Sequence, residues 1–293
     1  MRHAVLGAGG IGGLLAAALR RAGEDVRLVL RPSALAHYPG RLDVDSAVLG
    51  AFTADVPAAA RLDGPVDVLW VTVKATGLDA ALELVPPEAV GGALVVPLLN
   101  GVDHMALLRR RYGRVAAAAI RVESERTSTG RIVQRTPFIR VDLAAPPGEG
   151  PAVEAVARGL DHAGLQAVVT DDEATLLWSK LAFLGPVALA TSAFGLPIGE
   201  VRERPEFLGA QAEFVAAARA AGATIDVAAL RATVAGAPAG MRSSMQKDVE
   251  QGREPELDAI AGPVLHSGLP AEHSRTLAER VRRHLQDGVA ATP

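Results

Sequence analysis

The feature that most limits how this chain can fold is a cluster of glycines near its start, Gly7-Ala8-Gly9-Gly10-Ile11-Gly12. It follows the apolar triplet Ala4-Val5-Leu6 and opens a helical pattern over Ile11–Ala22. Glycine accepts backbone angles and close approaches that side chains forbid. A G-x-G-x-x-G spacing between strand and helix predicts a tight turn and a helix packed closely on its strand. The free N–H groups and positive dipole end of that helix suit a phosphate. Gly7, Gly9, Gly10, Ile11 and Gly12 are therefore the first candidates for binding a dinucleotide. A plain glycine-rich turn is the competing explanation.

Short apolar runs recur after the cluster. Val26–Leu30, Val66–Val73 and Ala93–Leu99 are nearly continuous, which suits strands buried on both faces of a parallel sheet. Helical patterns at Leu78–Leu84 and His104–Tyr112 alternate with them, predicting a doubly wound α/β domain. Further strands are expected at Val115–Ile120, Arg131–Gln134, Phe138–Leu143 and Ala167–Val169, with a helix at Val153–Ala163. From Asp171 the strand signal ends. Helices are predicted from Glu173 and at Arg204–Ala221, Asp226–Ala235, Arg242–Gln251, Glu256–Ser267 and Glu272–Leu285. A chain of 293 residues suits two domains, read here as α/β over residues 1–170 and all-α over 171–293.

Composition removes several classes of function. The chain has no cysteine, so disulfides, thiol nucleophiles and Cys-ligated metals are excluded. A net charge of −3 and 3% aromatic residues argue against a nucleic-acid partner. The seven histidines form no metal-binding spacing, and no metal is expected. There is no G-x-S-x-G elbow and no P-loop ending. Leu181–Gly199 carries no charge over 19 residues, but Gly185-Pro186 and Gly195 mark it as a buried helix ending near Gly195 rather than a membrane span. The first residues make a poor signal peptide. A cytoplasmic location without membrane contact is the expectation.

Three polar residues follow predicted strands. In an open parallel sheet, ligands lie beyond the carboxyl ends of the strands. Arg31 ends the second strand, where an NAD-preferring site would carry an acid. A guanidinium there could grip the 2′-phosphate of NADPH, with Ser33 assisting. Lys74 ends VDVLWVTV, and Asn100-Gly101 ends ALVVPLL. With the glycine loop, all three would share one sheet edge as cofactor ligands. Individually, Lys74 reads equally well as a surface cation and Asn-Gly as an ordinary turn.

With these residues assembled, the chain resembles the ketopantoate reductase family, the 2-dehydropantoate 2-reductases. The resemblance rests on GAGGIG, Arg31, V-T-V-K-A around Lys74, N-G at Asn100, W-S-K-L around Lys180, and S-M-x-x-D-x-x-x-G-R-x-x-E over Ser244–Glu256. It implies a Rossmann-type N-terminal domain, a helical C-terminal domain, and NADPH-dependent reduction of a 2-oxo acid to a 2-hydroxy acid in pantothenate biosynthesis. It implies that Lys180 is the general acid, that Glu256 binds substrate and orients Lys180, and that Ser244 and Asn100 hold substrate. The chemistry agrees, since an ammonium stabilises and protonates an oxygen that gains charge as hydride adds to carbon. The plainer explanations are a snorkelling helix lysine for Lys180, a helix-start acid for Glu256 and a helix-surface hydroxyl for Ser244.

Departures lie on the substrate side. The family usually places asparagines four and eight residues after the lysine, on the same helical face. Here those positions are Leu184 and Ala188. They would line the substrate pocket with methyl groups, and Gly185-Pro186 would kink the helix between them. Three functions follow: a ketopantoate reductase, a relative that reduces a different, more apolar 2-oxo acid or related carbonyl, and a non-enzymatic NADPH-binding sensor. A homodimer stays open.

Overall fold

The computed structural model describes residues 1–290. The chain forms two compact units, one of Met1–Leu99 with His104–Glu173, the other of Asn100–Asp103 with Ala174–Pro293. The division differs from a single cut after residue 170. The helical unit begins inside the first turn of a helix and also claims a four-residue loop far upstream.

The first unit runs β1 (Arg2–Leu6), α1 (Gly10–Arg21), β2 (Asp25–Val29), α2 (Pro32–Leu35), β3 (Arg41–Ser46), β4 (Gly50–Asp55), β5 (Ala58–Ala59), β6 (Val68–Val71), α3 (Leu78–Leu82), α4 (Pro87–Val90), β7 (Leu94–Pro97) and α5 (His104–Arg111). It closes with β8 (Ala117–Arg121), β9 (Ser124–Ser128), β10 (Arg131–Gln134), β11 (Arg140–Ala144), α6 (Gly150–His162) and β12 (Gln166–Thr170). A five-stranded sheet, ordered β5-β2-β1-β6-β7, is parallel throughout. All residues of β6 and β7 are buried, as apolar runs in a parallel sheet require. A single bridge between Val95 and Val115 carries the pairing on from β7 toward the three-stranded sheet β12-β11-β8.

A further sheet, β4-β3-β10-β9, packs against α1. No hydrophobic pattern in the sequence announces it as a separate layer. It explains why α1 is apolar and small on so many sides. Residues Gly12 to Leu19 are all buried, because strands lie on both flanks of the helix. A methyl group on Gly13 would stand 2.5 Å from Ile132 Cδ1 of β10.

The second unit is helical: α7 (Glu173–Phe194), α8 (Ile198–Val201), α9 (Pro205–Ala220), α10 (Val227–Gly236), α11 (Ser244–Glu250), α12 (Leu257–Leu265) and α13 (Glu272–Ala290). α7 ends at Gly195, whose φ of 66° stops the helix. By length and composition it is the one helix among the described residues able to cross a membrane, but 67% of its apolar window is buried inside the fold. Its partners in the core include Phe207 and Phe214 of α9 and Ile260 and Val264 of α12. Each aromatic side chain buried there contributes roughly 1.5–3 kcal/mol. Pro186 sits inside α7, and the helix continues through it.

Gly185 sets the approach of α9 to α7. A Cβ at that position would lie 2.1 Å from the Phe214 ring, which has no exposed surface and no room to retreat. Gly185→Ala is expected to cost about 1–3 kcal/mol by overpacking, read as a lowered urea midpoint with an unchanged m-value.

Candidate active site

In the first unit the strands β1, β2 and β6 are parallel and in register, Leu6 pairing with both Val29 and Val71. Whatever follows them therefore emerges at one edge. Gly7 comes first, at φ 98°, its N–H donating to the Val29 carbonyl at 3.0 Å. Thr72, just past β6, donates its hydroxyl to the carbonyls of Leu6 and Gly7 at 2.9 and 3.1 Å. The turn is thus tied to two strands. Arg31 is exposed and caps α2, while Lys74 is exposed and precedes a turn of 3-10 helix at Ala75–Gly77.

The glycines of the loop differ in what they permit. A Cβ on Gly12 would lie 2.2 Å from the Gly7 carbonyl oxygen and 2.3 Å from Thr72 Oγ1, so Gly12 lets α1 rest on the turn. A Cβ on Gly10 would meet the Ser124 carbonyl oxygen at 2.2 Å, and Ser124 Oγ donates back to the Gly10 carbonyl at 2.8 Å. β9 therefore buttresses the loop, a contact that nothing in the motif announces. Gly9 is unlike both, since a Cβ there would meet nothing within 4 Å. It caps α1 without any side-chain hydrogen bond. The result is an uncapped twelve-residue helix whose first turn opens onto space, a cradle suited to an anion. Ile11 is half-buried and packs on the core.

The second unit holds the other candidates. Asn100 follows β7 by only three residues. Nδ2 of Asn100 donates to Glu256 Oε2 at 3.0 Å. The reason lies in Gly101, whose φ of 82° turns the loop onto α12, so close that a Cβ would stand 2.3 Å from the Ala259 carbonyl oxygen. Glu256 caps α12 but makes no side-chain hydrogen bond to that helix. At the far end of the loop, burial pushes the Asp103 carboxyl above its usual range, and the nearby His266 partly offsets this.

Lys180 and Leu184 lie one turn apart on α7, both half-buried. Ala188 has no exposed surface and belongs to the hydrophobic core of the unit. The structure therefore gives Leu184 the surface a ligand could touch and gives Ala188 none. Ser244 is exposed at the start of α11. The buried hydroxyl there is that of Ser243, which caps α11 through Gln246 N at 3.0 Å and bonds Thr191 Oγ1 at 2.8 Å.

One compositional signal could have found these residues sooner. Of the 30 basic residues only three are lysines, namely Lys74, Lys180 and Lys247, and Asn100 is the sole asparagine in 293 residues. Where any cation would serve, this chain carries arginine. An ammonium or an amide so rare in the chain is a signal that singles out these positions as candidates. By the same signal Lys247, on α11 one turn beyond Ser244, is a further candidate.

Comparison with known proteins shows the family. The family model described as ketopantoate reductase PanE/ApbA matches residues 3–145, and its C-terminal counterpart matches residues 174–281. A 2-dehydropantoate 2-reductase of Mesorhizobium japonicum is 28% identical over 92% of this chain and 91% of its own length. One from Archaeoglobus fulgidus is 26% identical over 96% and 97%. Among solved structures, a PanE/ApbA family ketopantoate reductase from Ralstonia eutropha JMP134 superposes with a TM-score of 0.85 at 26% identity, covering 98% of this chain and 99% of that one.

The seating of the Asn100 loop depends on Gly101. Gly101→Ala adds a methyl group against a backbone carbonyl and a left-handed strain of about 1–2 kcal/mol. The expected outcome is a lowered thermal midpoint with the parallel-sheet unit still folded. An unaltered midpoint would show that the loop does not rest on α12.

Proposed function

The chain belongs to the ketopantoate reductase PanE/ApbA family, and from that premise we propose that it reduces a 2-oxo acid to a 2-hydroxy acid with NADPH. The coarse class, an oxidoreductase acting on a CH–OH group, follows from the family and its 2-dehydropantoate 2-reductase relatives. The observation that carries the finer reading is the Asn100–Glu256 hydrogen bond. It joins two of the family's motif residues, 156 positions apart in sequence, in the helical unit that also bears Lys180.

A nicotinamide cofactor supplies the hydride when bound. The residues at the sheet edge fit such a group. The open first turn of α1 at Gly9 suits a pyrophosphate, and Arg31, exposed past β2, suits a 2′-phosphate. As hydride reaches the carbonyl carbon, the electron pair of the C=O bond moves to oxygen. Lys180 stabilises that oxygen and gives it a proton. Glu256, held by Asn100, orients Lys180 and a hydroxyl or carboxylate of the substrate. Ser244, exposed at the start of α11, adds a further hydrogen bond.

Substrate preference rests on Leu184. It stands where the family carries an amide, and it is half-exposed while Ala188 is sealed in the core. A substrate hydroxyl facing Leu184 would lose a hydrogen bond worth ~1–3 kcal/mol. This favours a 2-oxo acid with an apolar branched or aromatic tail over ketopantoate, in a graded way.

Two measurements test the reading. Titration with both cofactors should show NADPH binding about ten- to a few hundredfold more tightly than NADH, with the gap closing in Arg31→Ala; equal affinity in the unaltered protein would remove the 2′-phosphate role. An oxidation assay against ketopantoate and a series of apolar 2-oxo acids should find turnover that Lys180→Ala lowers by about 10²–10⁴. Leu184→Asn should move preference toward ketopantoate, whereas Ala188→Asn should only destabilise, since it buries an amide. Failure to oxidise NADPH with any 2-oxo acid would leave the sensor reading instead.

A further inference from the structure

A 2-oxo acid is defined by its carboxylate, and the residues placed on the substrate give that charge no cation of its own. Lys180 serves the carbonyl oxygen, Glu256 is an anion, and Asn100 and Ser244 are neutral. The first unit holds a pair of guanidiniums of the required kind. Arg121 ends β8 and Arg140 begins β11, directly opposite one another on these antiparallel strands. Like charges so placed repel. Beside them lies Asp142, whose carboxylate accepts from Arg121 Nε at 3.1 Å and from Arg140 Nε at 2.6 Å. Asp142 is buried, while the two arginine side chains are 43% and 41% exposed. One carboxylate balances one guanidinium and leaves a positive charge over. Each guanidinium gives it only Nε. Among the described residues, neither Nη of either arginine bonds to the protein. Ion pairs this open to water contribute little to stability. They do fix two planar forks in place, with the donors that suit a carboxylate turned to other use.

The pair stands at the edge where ligands of a parallel sheet bind. Leu6, Val71 and Pro97 are level across β1, β6 and β7. The bridge between Val95 and Val115 puts Ala117 level with Pro97. Arg121 comes four residues later, so β8 rises up to about 13 Å past the ends of its neighbours. Three residues beyond Arg121, Ser124 Oγ donates to the Gly10 carbonyl at 2.8 Å, which ties this rise to the glycine loop. The side of the sheet matters as well. β2, with Arg31 beyond it, flanks β1 on one side, and β6, β7 and then β8 follow on the other. A cofactor with its 2′-phosphate at Arg31 and its pyrophosphate at Gly9 carries its nicotinamide half toward β8. We propose that Arg121 and Arg140, set by Asp142, form an anion subsite that takes the carboxylate of the 2-oxo acid. The subsite is complete within the first unit, and its part in turnover rests on the reductase reading.

Arg121→Gln and Arg140→Gln test it. Both keep a polar side chain at a half-exposed position, so the thermal midpoint should hold. With the best 2-oxo acid found, each variant should raise KM about ten- to hundredfold and change kcat less than about threefold, the pattern of lost uniform binding. The amide of the same 2-oxo acid carries no charge. It should be a poor substrate for the wild type and the variants alike, and neither substitution should worsen it. NADPH affinity should not move. An unchanged KM for the acid in both variants overturns the proposal. Equal losses on acid and amide overturn it too, because they mark a general distortion of the unit. If the wild type reduces no 2-oxo acid, the reductase reading fails and binding alone decides the subsite. Trimethylpyruvate, followed by its methyl NMR signal, should then show saturable binding to the wild-type protein, weakened at least about fivefold in the double variant. No binding to the wild type, or equal binding to the double variant, overturns the subsite itself.

Discussion

Everything at the sheet edge depends on how closely α1 approaches the strand that feeds it. Gly12 leaves no space for a methyl group between the helix and the Gly7 carbonyl, and Gly10 leaves none between the helix and β9. Both contacts are to backbone, which cannot move aside as a flexible side chain would. The consequence is a helix start fixed on two sides, with its third side at Gly9 left open. Preorganisation of this kind is what an anion site needs, since donors that are already aimed need no reordering when the anion arrives.

Much of this was legible in the chain itself. The parallel strands announced themselves as apolar runs, and the helices of the second unit by their periodicity and caps. The four-stranded sheet was not legible as a layer. β3 alternates buried and exposed residues, Leu42 and Val44 inward with Asp43 and Asp45 outward, but it is only six residues long. β9, Ser-Glu-Arg-Thr-Ser, has no apolar residue and four exposed positions, so no hydrophobic pattern could reveal it. It is a strand because β10 pairs with it, a tertiary cause that propensity does not contain.

The candidate site divides in the same way. Gly7 to Gly12, Arg31 and Lys74 could be placed from the motif and from the rule that ligands lie past strand ends. Asn100 follows a strand as the rule asks, but its hydrogen bond to Glu256 was not legible, because one positive-φ glycine sets the loop against α12. Leu184 and Ala188 looked equivalent by helical spacing. Burial separates them, since four residues further along α7 the same face has passed from a half-exposed surface into the core. Periodicity tells which residues share a face, not where along the helix that face goes under cover.

The placement of Asn100–Asp103 also bears on how such a chain can be cut and recombined. The helical unit is not a contiguous piece of sequence. A fragment starting at Ala174 would carry Lys180, Ser244 and Glu256 but leave behind the amide that holds Glu256. Exchange of the C-terminal segment with that of a relative would pair each incoming Glu with a loop shaped for another α12. The four residues act as a graft from one unit into the other's sequence, and they make the two halves inherit together.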